Sequence, residues 1–229
     1  MKGNGLQISI IIPTLNEAAQ IGEVIRATRA IGECEMIVVD GGSQDGTCEL
    51  ARDADQVLIT DASRARQQNR GAAMATGDVL LFLHSDCRLH PESFASIRNV
   101  LNDPRVVGGC FCQAIDAAGI GYRLLEWGNA RRVAWWKMAY GDQAIFVRKS
   151  VFHELGGFPD LPLMEDVYFM KQLRRRGRFV LIQKPIRVSA RRWQKRGLVR
   201  QTLRNWVLLF MASCGVHPDR LVRFYSNIR

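Results

Sequence analysis

The sequence predicts an α/β protein with a mostly parallel, doubly wound central sheet and a mixed second half. Short apolar segments alternate with helical segments through the first half of the chain, a pattern typical of parallel strands joined by crossover helices. Two of the apolar segments end in a carboxylate, at Asp40 and at Asp86. Because open α/β sheets bind ligands at the carboxyl ends of their strands, the sequence predicts a ligand site at this edge.

The first half contains four predicted strands, each followed by a helix. The strands cover 8–12, 36–39, 57–59 and 79–83, and the helices cover 16–31, 45–54, 63–74 and 91–101. Asn16, Asp45 and Ser63 suit the N-cap position because their side chains accept hydrogen bonds from the free amides of a first turn. Pro91 suits the start of the fourth helix, where its missing N–H is not needed.

The regular alternation of strands and helices becomes less regular in the second half of the chain. Strands are predicted over 106–112, 144–148 and 179–182, and helices over 120–136, from 150 to the glycine pair at 156–157, over 166–176 and over 198–212. No internal repeat or low-complexity linker interrupts the chain. We therefore predict one domain over 1–229, divided into 1–104, 105–196 and a C-terminal helix and tail over 197–229.

The net charge of +10 on 229 residues favours anionic partners such as nucleotides, nucleic acid or an acidic membrane face. Basic residues concentrate from Arg174 onward, so the last quarter of the chain is its electropositive part. The six cysteines form no CxxC pair, which argues against a zinc motif and favours reduced thiols in a cytoplasmic protein. No stretch approaches the roughly 20 apolar residues of a membrane span.

The segment after the second strand is the first candidate site. Gly41 and Gly42 allow backbone amides to approach a ligand closely, and the Asp40 carboxylate can accept from a base or a ribose hydroxyl. The same residues also fit a plain turn before the Asp45 cap. Arg64 begins a polar, basic helix whose face is suited either to phosphate or to solvent.

Asp86 is the candidate metal ligand. A diphosphate leaving group needs its charge neutralised, and a hard divalent ion held by carboxylates and phosphate oxygens does that. The alternative is that Asp86 caps the following helix. Glu165 and Asp166 begin another predicted helix, where acids favour the helix dipole, but Asp166 is also suited to take a proton from an acceptor hydroxyl.

Taken in order along the chain, these motifs resemble a family 2 glycosyltransferase with the nucleotide-diphospho-sugar transferase (GT-A) fold. Each motif is weak alone, but eight in the right order are specific, and together they cover nearly the whole chain. The matching segments are PTLNE at 13–17, VDGGSQDGT at 39–47, NRGA at 69–72, TGD at 76–78, LHSD at 83–86, GD at 141–142, GGF at 156–158 and ED at 165–166.

The resemblance implies a role for each matching position. Asp86 would hold Mg²⁺ or Mn²⁺ on the diphosphate of a nucleotide-diphospho-sugar donor, and Asp166 would be the base of an inverting, single-displacement transfer to a hydroxyl acceptor, either a small molecule or lipid-linked. The donor nucleotide would contact Pro13, Thr14, Glu17, Asp40, Gly42 and Arg64. The acceptor or diphosphate would contact Gly141, Asp142, Glu165, Arg192 and Trp193.

Three departures from the family pattern carry expectations of their own. His84 stands where the first acid of the Asp-x-Asp motif is usual, so Asp86 is expected to be the one protein carboxylate on the metal ion. Gly41 replaces the usual second acid after strand two, which leaves the base of the nucleotide open. The segment 189–193, SARRW, resembles the end of a motif of processive synthases but lacks its Gln, so a non-processive enzyme is expected.

The His-x-Asp and SARRW segments also make the chain similar to a small soluble branch of the family associated with arsenosugar biosynthesis. Two other classes were weighed. A nucleotidyltransferase on a similar fold would have a Gly-rich, basic loop after strand one, which 13–17 lacks. A nucleic-acid-binding protein would fit the charge, but no helix-turn-helix, zinc or RNA-binding signature is present, so no nucleic-acid partner is predicted.

The helix predicted over 198–212 has two interpretations. Leu198, Leu203, Trp206, Val207 and Phe210 share an apolar side, with Arg200 and Arg204 elsewhere. The more common outcome for such a helix is to cover the sheet. The alternative is peripheral contact with a bilayer at the inner face of the membrane.

Overall fold

The computed structural model describes residues 5–213 together with 216, 218 and 221, without the side chains of 192, 209, 210, 212 and 213. Cys214 therefore lies outside the described residues, as does the side chain of Arg192. The strands are β1 (Ile8–Thr14), β2 (Glu35–Asp40), β3 (Gln56–Ile59), β4 (Val79–Phe82), β5 (Cys87–Arg88), β6 (Val106–Asp116), β7 (Phe146–Arg148) and β8 (Arg178–Ser189).

These strands form one eight-stranded sheet in the order β3-β2-β1-β4-β7-β6-β8-β5. The four strands of the first half, β3, β2, β1 and β4, are parallel to one another. Strand β7 pairs antiparallel with both β4 and β6, β8 pairs parallel with β6, and β5 pairs antiparallel with β8. The predicted α/β class, with a largely parallel sheet and a mixed second half, is confirmed.

Helices pack on both faces of the sheet. They are α1 (Ile21–Arg29), α2 (Thr47–Leu50), α3 (Arg64–Met74), α4 (Ser93–Leu101), α5 (Ile120–Trp136), α6 (Lys149–Glu154), α7 (Glu165–Arg176), α8 (Arg191–Arg196) and α9 (Leu198–Ser213), with a 3₁₀ turn over Gly141–Gln143. Ile10 and Ile12 of β1 pack in the core with α1 and α4, whereas Ile11 packs in the opposite core with α3 and α7. This burial on both faces explains why the parallel strands are continuously apolar.

Two predicted helix starts in the first half are wrong. Asn16 does not cap α1, which begins only at Ile21 after Gln20. Asn16 instead lies in the left-handed region, at φ 53°, and its side-chain oxygen accepts from the amide of Gln44. The helix predicted over 45–54 shrinks to the single turn α2. Asn16 thus bonds to a neighbouring loop rather than to a helix of its own, whereas Asp45 accepts both from Thr47 at the start of α2 and from Ala18 in the neighbouring loop.

The strands of the second half are longer than predicted. Strand β6 continues to Asp116 and β8 continues to Ser189, and the two pair along most of their length. The short strand β5, directly after Asp86, was not predicted because two residues carry no periodic pattern. The Ser63 cap of α3 is confirmed, since its hydroxyl accepts from the amide of Arg66 at 3.4 Å. No described helix is long and apolar enough to cross a bilayer.

Candidate active site

The ends of β1 and β2 are joined through Asp40. Its Oδ1 accepts from the amides of Gly42 (2.9 Å) and Ser43 (2.7 Å), and its Oδ2 accepts from the hydroxyls of Ser43 (2.5 Å) and Thr14 (3.0 Å). Burial raises the pKa of Asp40, but these hydrogen bonds outweigh it, so the pKa lies below its ordinary value. A permanently ionised carboxylate therefore fixes the shape of the turn over 41–43.

The loops that follow β1 and β2 bond to each other repeatedly. The amide of Asn16 donates to the Ser43 hydroxyl at 2.8 Å, and the amide of Glu17 donates to the Thr47 hydroxyl at 2.9 Å. Asp45 accepts from the amide of Ala18 at 3.1 Å. Pro13, Thr14 and Glu17 are thus held beside Asp40 and Gly42, as the predicted donor set requires. Asn16 and Asp45 support this set, although the sequence offered them only as helix caps.

Asp86 lies half-buried just beyond β4, in a cavity of about 120 Å³. The cavity is lined by Gln20, Val24, Ser85, Asp86, Arg88, Asp116, Arg187, Val188 and Ser189. The amide of Ser189 donates to the carbonyl of Asp86 at 3.1 Å, so β8 fixes the backbone of the candidate metal ligand. Arg88 and Arg187 add positive charge, which suits phosphate oxygens.

The residues around Asp86 fit a hard cation that is bound mainly through its substrate. Ser85, Asp86 and Asp116 offer oxygen atoms, the ligand type that Mg²⁺ takes. In the part of the chain that the structure describes, no three His, Cys, Asp or Glu side chains group into a metal-binding cluster. A site with one principal carboxylate leaves positions for diphosphate oxygens and water, which is how Mg²⁺ binds at phosphate-transfer centres.

Gly141 lies between His84 and Asp166. Its amide donates to Asp166 Oδ2 at 2.7 Å. A Cβ at Gly141 would fall 2.7 Å from His84 Nε2 and 3.6 Å from Asp166 Oδ2, so only glycine fits here without movement of a neighbour. The structure therefore brings the end of β4, the Gly141 turn and the start of α7 into contact.

The same contacts connect the Asp86 cavity to Asp166. The Cys87 thiol lies 3.6 Å from Asp86 Oδ1 and 3.9 Å from the carbonyl oxygen of Asp142. Asp142 is the neighbour of Gly141, which bonds to Asp166. Asp86 and Asp166 therefore line two separate cavities that are connected through Cys87, Asp142 and Gly141.

Asp166 has an unusual electrostatic environment. Burial and the adjacent Glu165 carboxylate raise its pKa from 3.8 to about 6, although the hydrogen bond from Gly141 and the charge of Arg64 oppose the rise. Glu165 is buried and pairs with Arg64, with 3.5 Å between Nη1 and Oε1. Arg64 was predicted beside the donor base or phosphates, and the structure places its guanidinium next to the acids of α7.

Asp166 opens into a second cavity of about 130 Å³. Its lining consists of Arg64, His84, Tyr140, Gly141, Asp142, Leu163, Met164, Asp166, Val167, Asn205 and Leu208. Sequence reasoning missed Tyr140, Met164, Asn205 and Leu208. Of these four residues, Tyr140 was the easiest to predict from the sequence, because it directly precedes the predicted Gly141-Asp142 pair. Asn205 and Leu208 come from α9, and no local pattern connects that helix to Asp166.

The C-terminal basic segment reaches the donor loops through Arg191. Its Nη2 lies 3.2 Å from Glu17 Oε2, and both side chains are largely shielded from solvent. Trp193 packs against the core beneath the sheet and makes an edge contact with Tyr122, with 6.5 Å between ring centroids. In the segment SARRW, Arg191 reaches Glu17 and Ser189 lines the Asp86 cavity. The contacts of Arg192 and Trp193 with the diphosphate or acceptor stay a prediction.

Residues 9–159 match the sequence profile described as Glycosyl transferase family 2. The chain therefore belongs to this family, and its sheet is of the GT-A-like kind. This membership favours glycosyl transfer over nucleotidyl transfer and over nucleic-acid binding.

Among curated relatives, the chain is 30% identical over 167 residues to the PGL/p-HBAD biosynthesis glycosyltransferase of Mycobacterium tuberculosis, covering 66% of this chain and 62% of the relative. It is 37% identical over 97 residues to the glycosyltransferase AglE of Haloferax volcanii, covering 37% and 32% respectively. The chain thus spans at most about three fifths of the length of these relatives.

Solved structures share the fold at low sequence identity. S. aureus TarS, residues 1–349, superposes with a TM-score of 0.66 at 17% identity, covering 81% of this chain and 61% of that one. The mannosyltransferase PcManGT of Pyrobaculum calidifontis, in complex with GDP-Man and Mn²⁺, superposes with a TM-score of 0.64 at 20% identity, covering 82% and 57%.

Proposed function

We propose that this protein is an inverting, metal-dependent and non-processive glycosyltransferase that moves a sugar from a nucleotide-diphosphate donor to an acceptor hydroxyl. The observation that carries the proposal is the Asp166 carboxylate, with its raised pKa, in a cavity a few contacts from Asp86. A carboxylate with a pKa near neutrality is suited to accept a proton at physiological pH.

The donor nucleotide is proposed to bind along the loops after β1 and β2. Thr14 and Asp40 set the backbone of this edge, and Gly42 leaves open space because nothing lies within 4 Å of the position its Cβ would take. Pro13 and Glu17 complete the pocket from the first loop. The structural neighbours support this class of donor, since TarS was solved with UDP and with UDP-GlcNAc and PcManGT with GDP-Man.

The diphosphate is proposed to lie in the Asp86 cavity. When bound there, Mg²⁺ or Mn²⁺ would neutralise the negative charge that develops on the leaving diphosphate. Asp86 would hold the ion, with Arg88 and Arg187 lining the same cavity. The Mn²⁺ in the PcManGT complex supports metal use in this fold.

Asp166 is proposed to act as the general base. Its carboxylate takes the proton of the acceptor hydroxyl while the hydroxyl oxygen forms a bond to the anomeric carbon. The bond from that carbon to the diphosphate oxygen breaks, and the nucleoside diphosphate leaves with the electron pair. Attack from the face opposite the leaving group inverts the anomeric configuration. Gly141 holds Asp166 Oδ2 in place, Asp142 lines the acceptor cavity, and Glu165 acts on it through its ion pair with Arg64.

The remaining assignments belong to the same proposal. Residues 1–104 bind the donor, 105–196 hold the acceptor and the base, and 197–229 form the C-terminal helix and tail. Arg192 and Trp193 contact the diphosphate or acceptor, and α9 makes peripheral membrane contact at the cytoplasmic face. The likeness to the arsenosugar-associated branch rests on the His-x-Asp and SARRW segments alone.

The decisive experiment is to incubate the protein with a panel of nucleotide-diphospho-sugars and Mn²⁺ and identify the released nucleotide. Release of a nucleoside diphosphate, with a product of inverted anomeric configuration, is the expected result. Release of pyrophosphate would contradict glycosyl transfer, and retained configuration would contradict the role of Asp166.

A further inference from the structure

Large apolar side chains are exposed mainly on two helices. In the described part of the chain, twelve large hydrophobic residues are exposed, and nine of them lie on α5 and α9. Those on α5 are Ile120, Leu124, Trp127, Trp135 and Trp136, and those on α9 are Val199, Leu203, Trp206 and Val207. Four of the five tryptophans of the chain are in this set. Such a concentration marks an interaction surface rather than scattered surface residues.

Helix α9 is amphipathic with its apolar side turned outward. Val199, Leu203, Trp206 and Val207 are spaced by four, three and one residues, which places them on one helix face. Each is more than half exposed, while Gln201 and Leu208 on the opposite face are buried. Leu203, Trp206 and Val207, three of the five residues predicted to cover the sheet, therefore face outward, whereas Leu198 packs on Gly121 and the side chain of Phe210 lies outside the described residues. Toward the protein, α9 packs through Leu208 and Met211.

Helix α5 repeats the arrangement. Ile120, Leu124, Trp127 and Trp135 lie on one face, and Arg131 lies among them. The Arg131 guanidinium stacks 4.5 Å from the Trp127 ring centroid and 5.3 Å from that of Trp135. An arginine held between two exposed tryptophans presents a cationic group at the level of the aromatic rings.

The two helices meet at their N-terminal ends, where Leu198 packs so closely on Gly121 that the glycine has no room for a Cβ. Beyond the C-terminal end of α5, Met138 packs in the same cluster as Leu208 and Met211 of α9. We call the exposed residues of the two helices, Ile120, Leu124, Trp127, Trp135, Val199, Leu203, Trp206 and Val207, the tryptophan surface.

The charge next to the tryptophan surface is strongly positive. The segment 191–213 contains six basic residues and no acid, and α5 contains three arginines and one glutamate. Arg200 and Arg131 are exposed beside the apolar stripes. Anionic headgroups attract such side chains when they lie near the membrane surface.

We propose that the tryptophan surface docks this protein onto an anionic lipid bilayer, with α5 and α9 lying in the plane of the headgroups. Tryptophan and arginine are the side chains that suit this boundary, because each has an apolar body and a polar tip. A second copy of the chain fits less well. It would bring two sets of like charges together, whereas anionic lipid neutralises them.

Docking in this orientation brings the catalytic cavity close to the membrane. Asn205 and Leu208 line that cavity from the inner side of α9, while Trp206 and Val207 lie on its outer side. Helix α9 therefore forms a wall of the cavity that contains Asp166 with its inner side, and it contacts lipid with its outer side. The docking itself does not depend on the proposed reaction and can be tested without it.

The test is co-sedimentation of the intact chain with vesicles of phosphatidylcholine alone or mixed with phosphatidylglycerol. We expect binding to the anionic vesicles, weakened by added salt because screening reduces the headgroup attraction. The double variant Trp127→Ala/Trp206→Ala is expected to bind about tenfold or more weakly, since it loses two large apolar side chains from the contact. The matched control is Leu50→Ala/Ile59→Ala, which removes two exposed apolar residues outside this surface and is expected to bind like the parent chain.

Sedimentation velocity without lipid supplies the second measurement. A monomer whose vesicle binding falls only in the tryptophan variant supports the proposal. Equal binding by the tryptophan variant and the control would overturn it. So would a dimer that the tryptophan substitutions dissociate, together with no binding of the parent chain to anionic vesicles.

Discussion

The amide of Gly141 donates a 2.7 Å hydrogen bond to Asp166 Oδ2, and the same glycine touches the His84 imidazole on its other side. This contact ties the start of α7 to the end of β4, so the candidate base is positioned by the strand that leads to the candidate metal ligand. The orientation of Asp166 is therefore sensitive to small changes at position 141.

Gly141→Ala should reduce turnover while leaving the fold intact. The new methyl group would meet His84 Nε2 at 2.7 Å, so the turn and His84 must move apart, and this shifts the amide that holds Asp166. Displacement of a catalytic group by a fraction of an ångström is expected to lower kcat by about 10- to 100-fold. Steady-state kinetics measures this. Gly128→Ala is the control, because nothing lies within 4 Å of the Cβ position at Gly128, and equal losses in the two variants would contradict the positioning role.

Asp166→Asn should abolish transfer and stabilise the protein at the same time. Loss of a general base lowers kcat by about 10²- to 10⁴-fold. Because folding raises the pKa of Asp166 from 3.8 to about 6, its contribution to stability is fully present below pH 3.8 and is lost as the pH rises through 6. The ionised form is thus disfavoured by the fold, and Asn removes that cost.

Denaturant unfolding at two pH values checks the stability prediction. At pH 8 the free energy of unfolding of Asp166→Asn should exceed that of the parent chain by about 1–3 kcal/mol. Near pH 4, where the carboxyl is protonated in the folded state, the difference should largely disappear. A variant that is less stable at pH 8 would show that the carboxylate is well accommodated.

The acidic limb of the pH–rate profile should shift when Glu165 is neutralised. In the parent chain, kcat is expected to rise as Asp166 loses its proton near pH 6. Burial and the negative charge of Glu165 raise the pKa of Asp166, so Glu165→Gln should move the acidic limb to lower pH.

Arg64→Gln provides the opposite test, because Arg64 lowers the pKa of Asp166. The acidic limb of the pH–rate profile of this variant is expected at higher pH than that of the parent chain. The variant should also be less stable, because Glu165 remains buried without the Arg64 guanidinium that lies 3.5 Å away. If both variants shift the limb in the same direction, the limb reports a group other than Asp166.

Asp86→Asn should remove Mn²⁺-dependent donor binding, whereas Asp116→Asn should not. Both carboxylates line the same cavity, but only Asp86 follows β4 directly and is fixed by the Ser189 amide. Isothermal titration of a nucleoside diphosphate with and without Mn²⁺ measures the effect. Equal losses in the two variants would mean that Asp86 is not the principal ligand.

His84→Asp restores the acid that the family pattern has at this position. Carboxylate oxygens suit Mg²⁺ and Mn²⁺ better than an imidazole does, so the variant is expected to bind Mn²⁺ more tightly in the presence of nucleotide. Unchanged Mn²⁺ affinity would place position 84 outside the reach of the metal.

The parts of the fold that were predictable are those with a local physical cause. The strands before Asp40 and Asp86 are apolar because both faces of the sheet are covered, and Ser63 caps α3 through a local bond from the Arg66 amide to its hydroxyl. The prediction that Asn16 is an N-cap is wrong because its side chain, although suited to a cap, accepts a hydrogen bond from the loop after β2. Such competition depends on a neighbour that the sequence alone does not place.

The acidic residues of the site were predictable from the sequence, but the residues that line its cavity were not. Asp86 follows a predicted strand and Asp166 begins a predicted helix, so the local sequence pattern indicates both positions. Asn205 lines the same cavity as Asp166 only because α9 folds back over it. The direction in which α9 faces was also open, since an apolar stripe fits a core and a membrane equally well.

The ion pair between Glu17 and Arg191 joins positions 174 residues apart. During synthesis, a ribosome adds about 5–20 residues each second, so the first loop waits roughly ten to thirty seconds for its partner. The nascent polypeptide accordingly cannot form this ion pair until the segment that carries Arg191 has emerged and β8 has paired with β6. If the proposed donor pocket depends on the pair, donor binding should appear only after that segment has been translated, rather than growing with chain length.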